Sequence, residues 1–235
     1  MYKKNHLIEF EKHANAYDSF SIIQRSIAKE LVNRLDSCPK NVLDVGCGTG
    51  EIYKNIPWKL DSFIGVDFSQ TMCKLHPEST EVTIFCEDFE SESFKEKIFD
   101  NAPFDIILSS SSLQWAKDLE NTFKFYSSIS DKVAFSIFTD GTFKSLYKTL
   151  KRKSFLPTYD FLTSISTVLN NAHVSKKIYK LDFEDKLSLF RYIKQSGISG
   201  GNEPLNYKKM KYLLNEYPYK YLEFEATFIV SDVIF

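Results

Sequence analysis

Apolar residues in this chain fall into short blocks that alternate between two periods. Nearly continuous apolar runs at 41–45, 62–66, 82–86, 104–109 and 132–138 predict strands. Between and after them, helical spacing of apolar positions predicts helices over 51–57, 69–76, 91–99, 119–129 and 142–152. This strand–helix alternation predicts an α/β fold built on a parallel, doubly wound sheet. A helical segment over about 10–36 precedes that core, and residues 153–220 carry further helical patterns and the loop Ser196-Gly197-Ile198-Ser199-Gly200-Gly201. The last run, Tyr221 to Val230, is rich in aromatic and β-branched residues and predicts a long strand that returns to the sheet.

The first strand runs into a loop with glycine at every second position, Asp44-Val45-Gly46-Cys47-Gly48-Thr49-Gly50-Glu51. Glycine has no Cβ, so such a loop leaves nothing protruding toward a ligand and lets one lie on the backbone. Spacing then narrows the ligand. A dinucleotide loop, G-x-G-x-x-G, needs a third glycine at position 51, where Glu51 would face a pyrophosphate. A Walker-type loop needs Gly-Lys-Ser/Thr, and Lys54 comes too late. The ligand expected here carries little negative charge at the loop. Asp67 closes the next apolar run, Phe63-Ile64-Gly65-Val66-Asp67, where a carboxylate accepts two hydroxyl donors and repels a 2′-phosphate. The plain alternative is a strand-turn-helix with an incidental glycine cluster, in which Glu51 only complements a helix N-terminus.

Taken as D-x-G-x-G-x-G with Asp67 at the end of the second strand, the stretch resembles motif I of the class I S-adenosylmethionine-dependent methyltransferases. The resemblance implies a Rossmann-like fold: a mostly parallel seven-stranded sheet with helices on both faces, plus an N-terminal helix and a helical insertion forming a lid. It implies a single domain over 1–235, with a lid at 10–36, a cofactor-binding core at 40–152, a substrate-cap insertion with late helices at 153–220 and a final strand at 221–235. S-adenosyl-L-methionine would then be held by Asp44, Gly46, Gly48 and Gly50, with the ribose hydroxyls on Asp67 and the adenine amino group on Asp88 beside the Phe89 backbone. Phe68 would flank the adenine, and Met72, four residues on, would cover its other side or pack in the core. Tyr17, Gln24 and Ser109 complete the expected cofactor set. The run Ser109-Ser110-Ser111-Ser112 keeps the methyl path open, and Trp115 either walls the pocket or plugs the core.

Three further segments occur together: Phe10 to Asp18 with Gln24, Leu113-Gln114-Trp115, and Lys194 to Gly200. Jointly they are similar to the malonyl-acyl-carrier-protein O-methyltransferase family of biotin synthesis, from about residue 9 to the C-terminal Tyr-rich strand. This chain departs from the family in its Ser-Gly-Ile-Ser segment and in Ser109 and Ser110, where Asn is common. The implied reaction is methyl esterification of the free carboxylate of a malonyl thioester on acyl carrier protein or coenzyme A. A carboxylate, with a reference pKa of ~4, is already ionised at neutral pH and needs no general base. Arg152 and Lys194 are the candidates to hold it, with Tyr17 as a hydroxyl donor. Lys148, Lys151 and Lys153, with Lys208, Lys209 and Lys211, would steer an acidic carrier, or else form a solvated helix end. A methyltransferase for another small carboxylic acid or quinone precursor and a non-catalytic cofactor-binding protein are the rivals.

Composition sets limits without changing this reading. With 235 residues, 43% of them hydrophobic, the chain can bury one substantial core. A net charge of -1 makes nucleic acid an unsuitable main partner. The cysteines, Cys38, Cys47, Cys73 and Cys86, lack C-x-x-C spacing and no histidine pair completes a metal set, so they are expected to be reduced, mostly packed thiols with no metal. The start has no apolar leader and no run of ~18 apolar residues occurs, so a cytoplasmic protein outside the membrane is expected. Without a heptad or apolar surface stripe, a monomer is expected.

Overall fold

The computed structural model describes residues 21–130, 132–195 and 207–231. Its elements run α1 (Ile22–Asn33), β1 (Asn41–Val45), α2 (Glu51–Asn55), β2 (Ser62–Asp67), α3 (Gln70–Leu75), β3 (Val82–Cys86), α4 (Glu92–Phe99), β4 (Ile106–Ser110), α5 (Leu119–Ser128) and β5 (Val133–Phe138). They continue with α6 (Lys144–Thr149), α7 (Tyr159–Ile165), β6 (His173–Asp182), α8 (Lys186–Gln195), α9 (Tyr207–Glu216) and β7 (Tyr221–Val230). The strands form one seven-stranded sheet in the order β3-β2-β1-β4-β5-β7-β6. The first five are parallel, and β7 runs antiparallel to both β5 and β6.

The sheet is covered on both faces, which is why its central strands are continuous apolar runs. Successive residues point to opposite sides. Val42 packs with Ile27 and Leu31 of α1, whereas its neighbours Leu43 and Val45 join Ile64, Phe94 and Phe123 on the other side. Four helices start where a small polar side chain accepts a backbone N–H: Ser69 for α3, Ser91 for α4, Asp118 for α5 and Thr158 for α7. Helix α2 has no side-chain cap, and Gly50 in the left-handed region begins it.

Two expectations change. The helix expected over 142–152 is shorter, because Phe143 and Lys151 take positive φ at its ends and stop it. Residues 153–220, expected to be helical, contain β6, which pairs with β7 along all ten of its residues. Part of the anticipated cap is therefore the edge of the sheet. Its sequence hid this because Lys176, Lys177 and Lys180 interrupt the apolar pattern, as suits an edge strand that must not recruit other chains. The four thiols are free, but Cys38 and Cys86 are exposed rather than packed. Among the described residues no helix is long and apolar enough to cross a membrane.

Strand β1 lies between β2 and β4, so the chain turns to opposite sides of it. In an open parallel sheet a crevice opens at the carboxyl ends of the strands at such a reversal. The topology places the site there before any side chain is considered.

Candidate active site

A cavity of about 90 Å³ occupies this crevice. One wall is the loop after β1, held to β2 by the Gly46 and Cys47 N–H groups, which both donate to the Val66 carbonyl at 2.8 and 3.0 Å. Gly46 has φ +76°, and a Cβ there would lie 2.3 Å from the Cβ of Ser112, so this loop and the one after β4 meet with no room between them. Gly48 differs: a Cβ on it would meet no protein atom within 4 Å. The backbone there is bare on the ligand's side, as the spacing predicted. Gly50 is not in the wall and shapes the start of α2. Glu51 sits in the first turn of α2 and pairs with Lys54 at 2.9 Å.

Asp67 stands at the tip of β2 with each carboxylate oxygen used once. Oδ2 accepts from the Gly48 N–H at 3.0 Å, and Oδ1 from the Ser69 N–H at 2.9 Å. Each oxygen keeps a free lone pair, which matches two ribose hydroxyls. Burial raises its pKa to about 6, against the opposing pull of the Ser69 and Gly48 N–H bonds. Asp44 is 1% exposed and neither of its oxygens has a partner. Burial, and then the charge of Asp67, hold its carboxyl well above the usual carboxylate range. The spare acceptors of Asp67, ionised above about pH 6, fit a ligand bearing hydroxyls and would repel a pyrophosphate.

This sets a pH dependence. In the free protein Asp67 takes up a proton as pH falls through about 6. Hydroxyl donors favour the ionised form, so ligand binding lowers this pKa and expels the proton. Affinity for S-adenosylhomocysteine should therefore be level above about pH 7 and fall by up to about tenfold per unit below pH 6. Calorimetric titrations at several pH values measure this, and a flat profile would remove Asp67 from the binding site.

The other anticipated residues divide. Gln24 of α1, Phe68 and Met72 line the cavity, and so does Trp115, which serves as a wall rather than only a core plug. Ser109 does not: it is fully buried, with its hydroxyl donating to the Val45 carbonyl at 2.6 Å. Ser110, Ser111 and Ser112 form the wall instead. Phe89 packs in the core. Asp88, two residues beyond β3, accepts from the Glu90 N–H at 3.0 Å and lies outside the cavity wall. Arg152 is not in the wall either, but Phe155 stacks on Trp115 with ring centroids 5.7 Å apart, tying the segment after α6 to the cavity rim. Tyr17 and most of the segment Lys194 to Gly200 lie outside the described residues; Lys194 is placed only as backbone of α8.

Ser111 is the wall residue that sequence reasoning did not single out. Its φ of +59° puts a non-glycine residue in the left-handed region, and its buried hydroxyl has no partner. Each feature costs roughly 1–3 kcal/mol. The serine run marked the segment, but nothing in it distinguished one hydroxyl from the next.

Residues 42–130 match a family model described as a methyltransferase domain. The malonyl-[acyl-carrier protein] O-methyltransferase of Bacillus cytotoxicus is 26% identical, covering 83% of this chain and 75% of its own length. The protein of the same name from Priestia megaterium is 29% identical, covering 83% and 81%. A solved structure of the plantazolicin methyltransferase BpumL, in complex with a pentazolic desmethylPZN analog and SAH, is similar with a TM-score of 0.51 and 13% identity, over 99% of this chain and 100% of that one. At that identity the likeness is one of fold.

Proposed function

This chain being a class I S-adenosylmethionine-dependent methyltransferase, we propose that it esterifies the free carboxylate of a malonyl thioester, carried by acyl carrier protein or coenzyme A, in biotin synthesis. One structural observation carries the choice of a carboxylate. Beyond the sulfonium end expected for the cofactor, the wall after β4 offers serine hydroxyls and Trp115, with no general base among its described residues. Such a wall suits a nucleophile that arrives already ionised, and a carboxylate does.

When bound, S-adenosylmethionine supplies a methyl group on a positively charged sulfur. Asp67 would hold the ribose, the bare backbone at Gly48 would carry the tail and Phe68 and Met72 would bracket the adenine; Asp88, outside the cavity wall, would accept from the adenine amino group. The acceptor oxygen forms a C–O bond as the methyl–sulfur bond breaks, with the electron pair left on sulfur. Anion and cation both disappear, so a water-poor pocket favours the transfer. Gln24 and Ala28 of α1 help exclude water, which supports a lid role for the N-terminal segment, while the helices of 153–220 are proposed to cap the acceptor. Arg152 is proposed to draw the malonyl carboxylate in at the mouth, with Lys194 and Tyr17 as the resemblance implies.

An acidic carrier has a surface to meet. Lys148, Lys151, Lys153, Lys208 and Lys211 are exposed and form no ion pair among the described residues, and α9 packs against α6. By contrast Lys54, Lys95, Lys97, Lys124 and Lys132 are all paired with carboxylates. An unneutralised basic face on a chain of net charge -1 suits electrostatic steering of an acidic protein. A monomer in the cytoplasm completes the proposal.

The test supplies labelled S-adenosylmethionine with malonyl-acyl carrier protein, malonyl-coenzyme A and free malonate. A base-labile methyl ester on one or both thioesters is expected. No ester on either rejects the assignment and leaves another small carboxylic acid or a quinone precursor as the acceptor.

A further inference from the structure

We propose that the Ser111 hydroxyl is the group that orients the acceptor carboxylate against the methyl; this rests on the malonyl-thioester reading above. The run of four serines after β4 supplies four hydroxyls, and three of them have protein partners. Ser109 and Ser112 both donate to the Val45 carbonyl, at 2.6 and 2.7 Å, and Ser110 accepts from the Ser136 hydroxyl of β5 at 3.1 Å. The fourth, Ser111, has its oxygen buried in the cavity wall with no partner.

Its position is enforced. The Ser111 N–H donates to the Ser136 carbonyl at 2.8 Å, and its own carbonyl accepts from the Gln114 side-chain amide at 2.6 Å. Pinned from both sides, the residue stays at φ +59°, a conformation serine seldom adopts without compensation. A strained residue in the cavity wall that carries a buried hydroxyl without a partner marks a ligand contact.

Which ligand follows from the strand order. The ribose is assigned to Asp67 on β2, the loop after β1 lies next, and Ser111 comes after β4, hydrogen-bonded to β5. A cofactor anchored at β2 reaches across β1, so the β4–β5 side belongs to its reactive end and to the acceptor. Trp115 and Phe155 close that side with an aromatic wall. A single neutral O–H donor there can hold one carboxylate oxygen and leave the other free to attack. A guanidinium or ammonium in that place would neutralise the charge whose disappearance drives the transfer. Arg152, proposed above for capture, and Ser111 in the wall thus divide capture from orientation.

The test uses S111A, S111G and S111N in the full chain. Two binding measurements come first: S-adenosylhomocysteine to each variant, then malonyl-coenzyme A to the variant saturated with S-adenosylhomocysteine. Steady-state methylation follows. Cofactor-product affinity should stay within about twofold, while malonyl-coenzyme A affinity and kcat/KM fall about 10- to 100-fold in S111A and in S111G alike. S111G, relieved of its strain, should melt at a higher temperature than S111A, which separates the hydroxyl from the backbone. Asparagine tolerates the left-handed region and keeps a donor, so S111N should recover part of the loss. An active wild type with unchanged S111A kinetics overturns this inference alone, as does a loss confined to S-adenosylhomocysteine binding, which would assign the hydroxyl to the cofactor. A wild type inactive on both thioesters overturns the malonyl reading and this inference with it.

Discussion

Asp67→Ala should weaken S-adenosylmethionine and S-adenosylhomocysteine binding by about 100-fold or more while leaving a folded protein. The spare lone pair on each Asp67 oxygen can take a hydroxyl, and a hydrogen bond to a charged group contributes about 1.5–3 kcal/mol. Two such bonds are worth at least about 3 kcal/mol, or about two orders of magnitude in Kd. Removing the carboxylate also frees the Gly48 and Ser69 N–H groups that it now accepts from, so the bare stretch of loop loses its fixed shape as well as its ligand contact. Asp67→Asn should fall between, because its amide keeps one acceptor and turns a donor toward groups that themselves donate. Calorimetry with S-adenosylhomocysteine reads the affinity, and thermal melting by circular dichroism checks the fold. Wild-type affinity in Asp67→Ala would mean that the ribose sits elsewhere and that the tip of β2 has been assigned wrongly.

Gly46→Ala is expected to damage stability, and Gly48→Ala chiefly to damage binding, although both glycines have positive φ in one loop. A Cβ on Gly46 would lie 2.3 Å from both the Cβ and the Oγ of Ser112, a buried contact with no slack. Strain at that φ and forced separation of the two loops each cost roughly 1–3 kcal/mol, a large part of an ordinary stability of about 5–15 kcal/mol. Parting the loops also breaks the Ser112 bond to the Val45 carbonyl at the end of β1. At Gly48 the added methyl enters open space and pays only for backbone conformation, about 1 kcal/mol. It does, however, take up room that the cofactor needs. Urea denaturation of both variants beside S-adenosylhomocysteine titrations separates the two effects. Equal stability losses would show that the meeting of the two loops at Gly46 is not tight.

The parts of the fold legible in the sequence are those where local pattern and tertiary environment agree. Strands β1 to β5 lie within two residues of their expected bounds because each is a short, mostly apolar run, and β1, β2, β4 and β5 are largely buried. Strand β6 obeys another constraint: as the outermost strand it needs polar residues along its edge, and lysines at 176, 177 and 180 erase the pattern that would reveal it. Helix α6 is shorter than its pattern for a reason equally invisible locally, since Phe143 and Lys151 at its two ends take positive φ.

The site shows the same division. The glycine spacing and Asp67 identify the cofactor because a backbone that lies against a ligand needs bare residues at fixed intervals, and a ribose needs an acceptor at the next strand tip. These are short-range requirements, so the sequence by itself carries that reading, together with the parallel core. Only the tertiary structure decided which serine serves a ligand. Ser109 bonds Val45, 64 residues away, Ser112 the same carbonyl 67 residues away, and Ser110 accepts from Ser136 across 26 residues, which leaves Ser111 as the one of the four without a protein partner. Hydrogen bonds between distant segments depend on how the strands are ordered and how their loops meet, and four identical residues in a row carry no record of that.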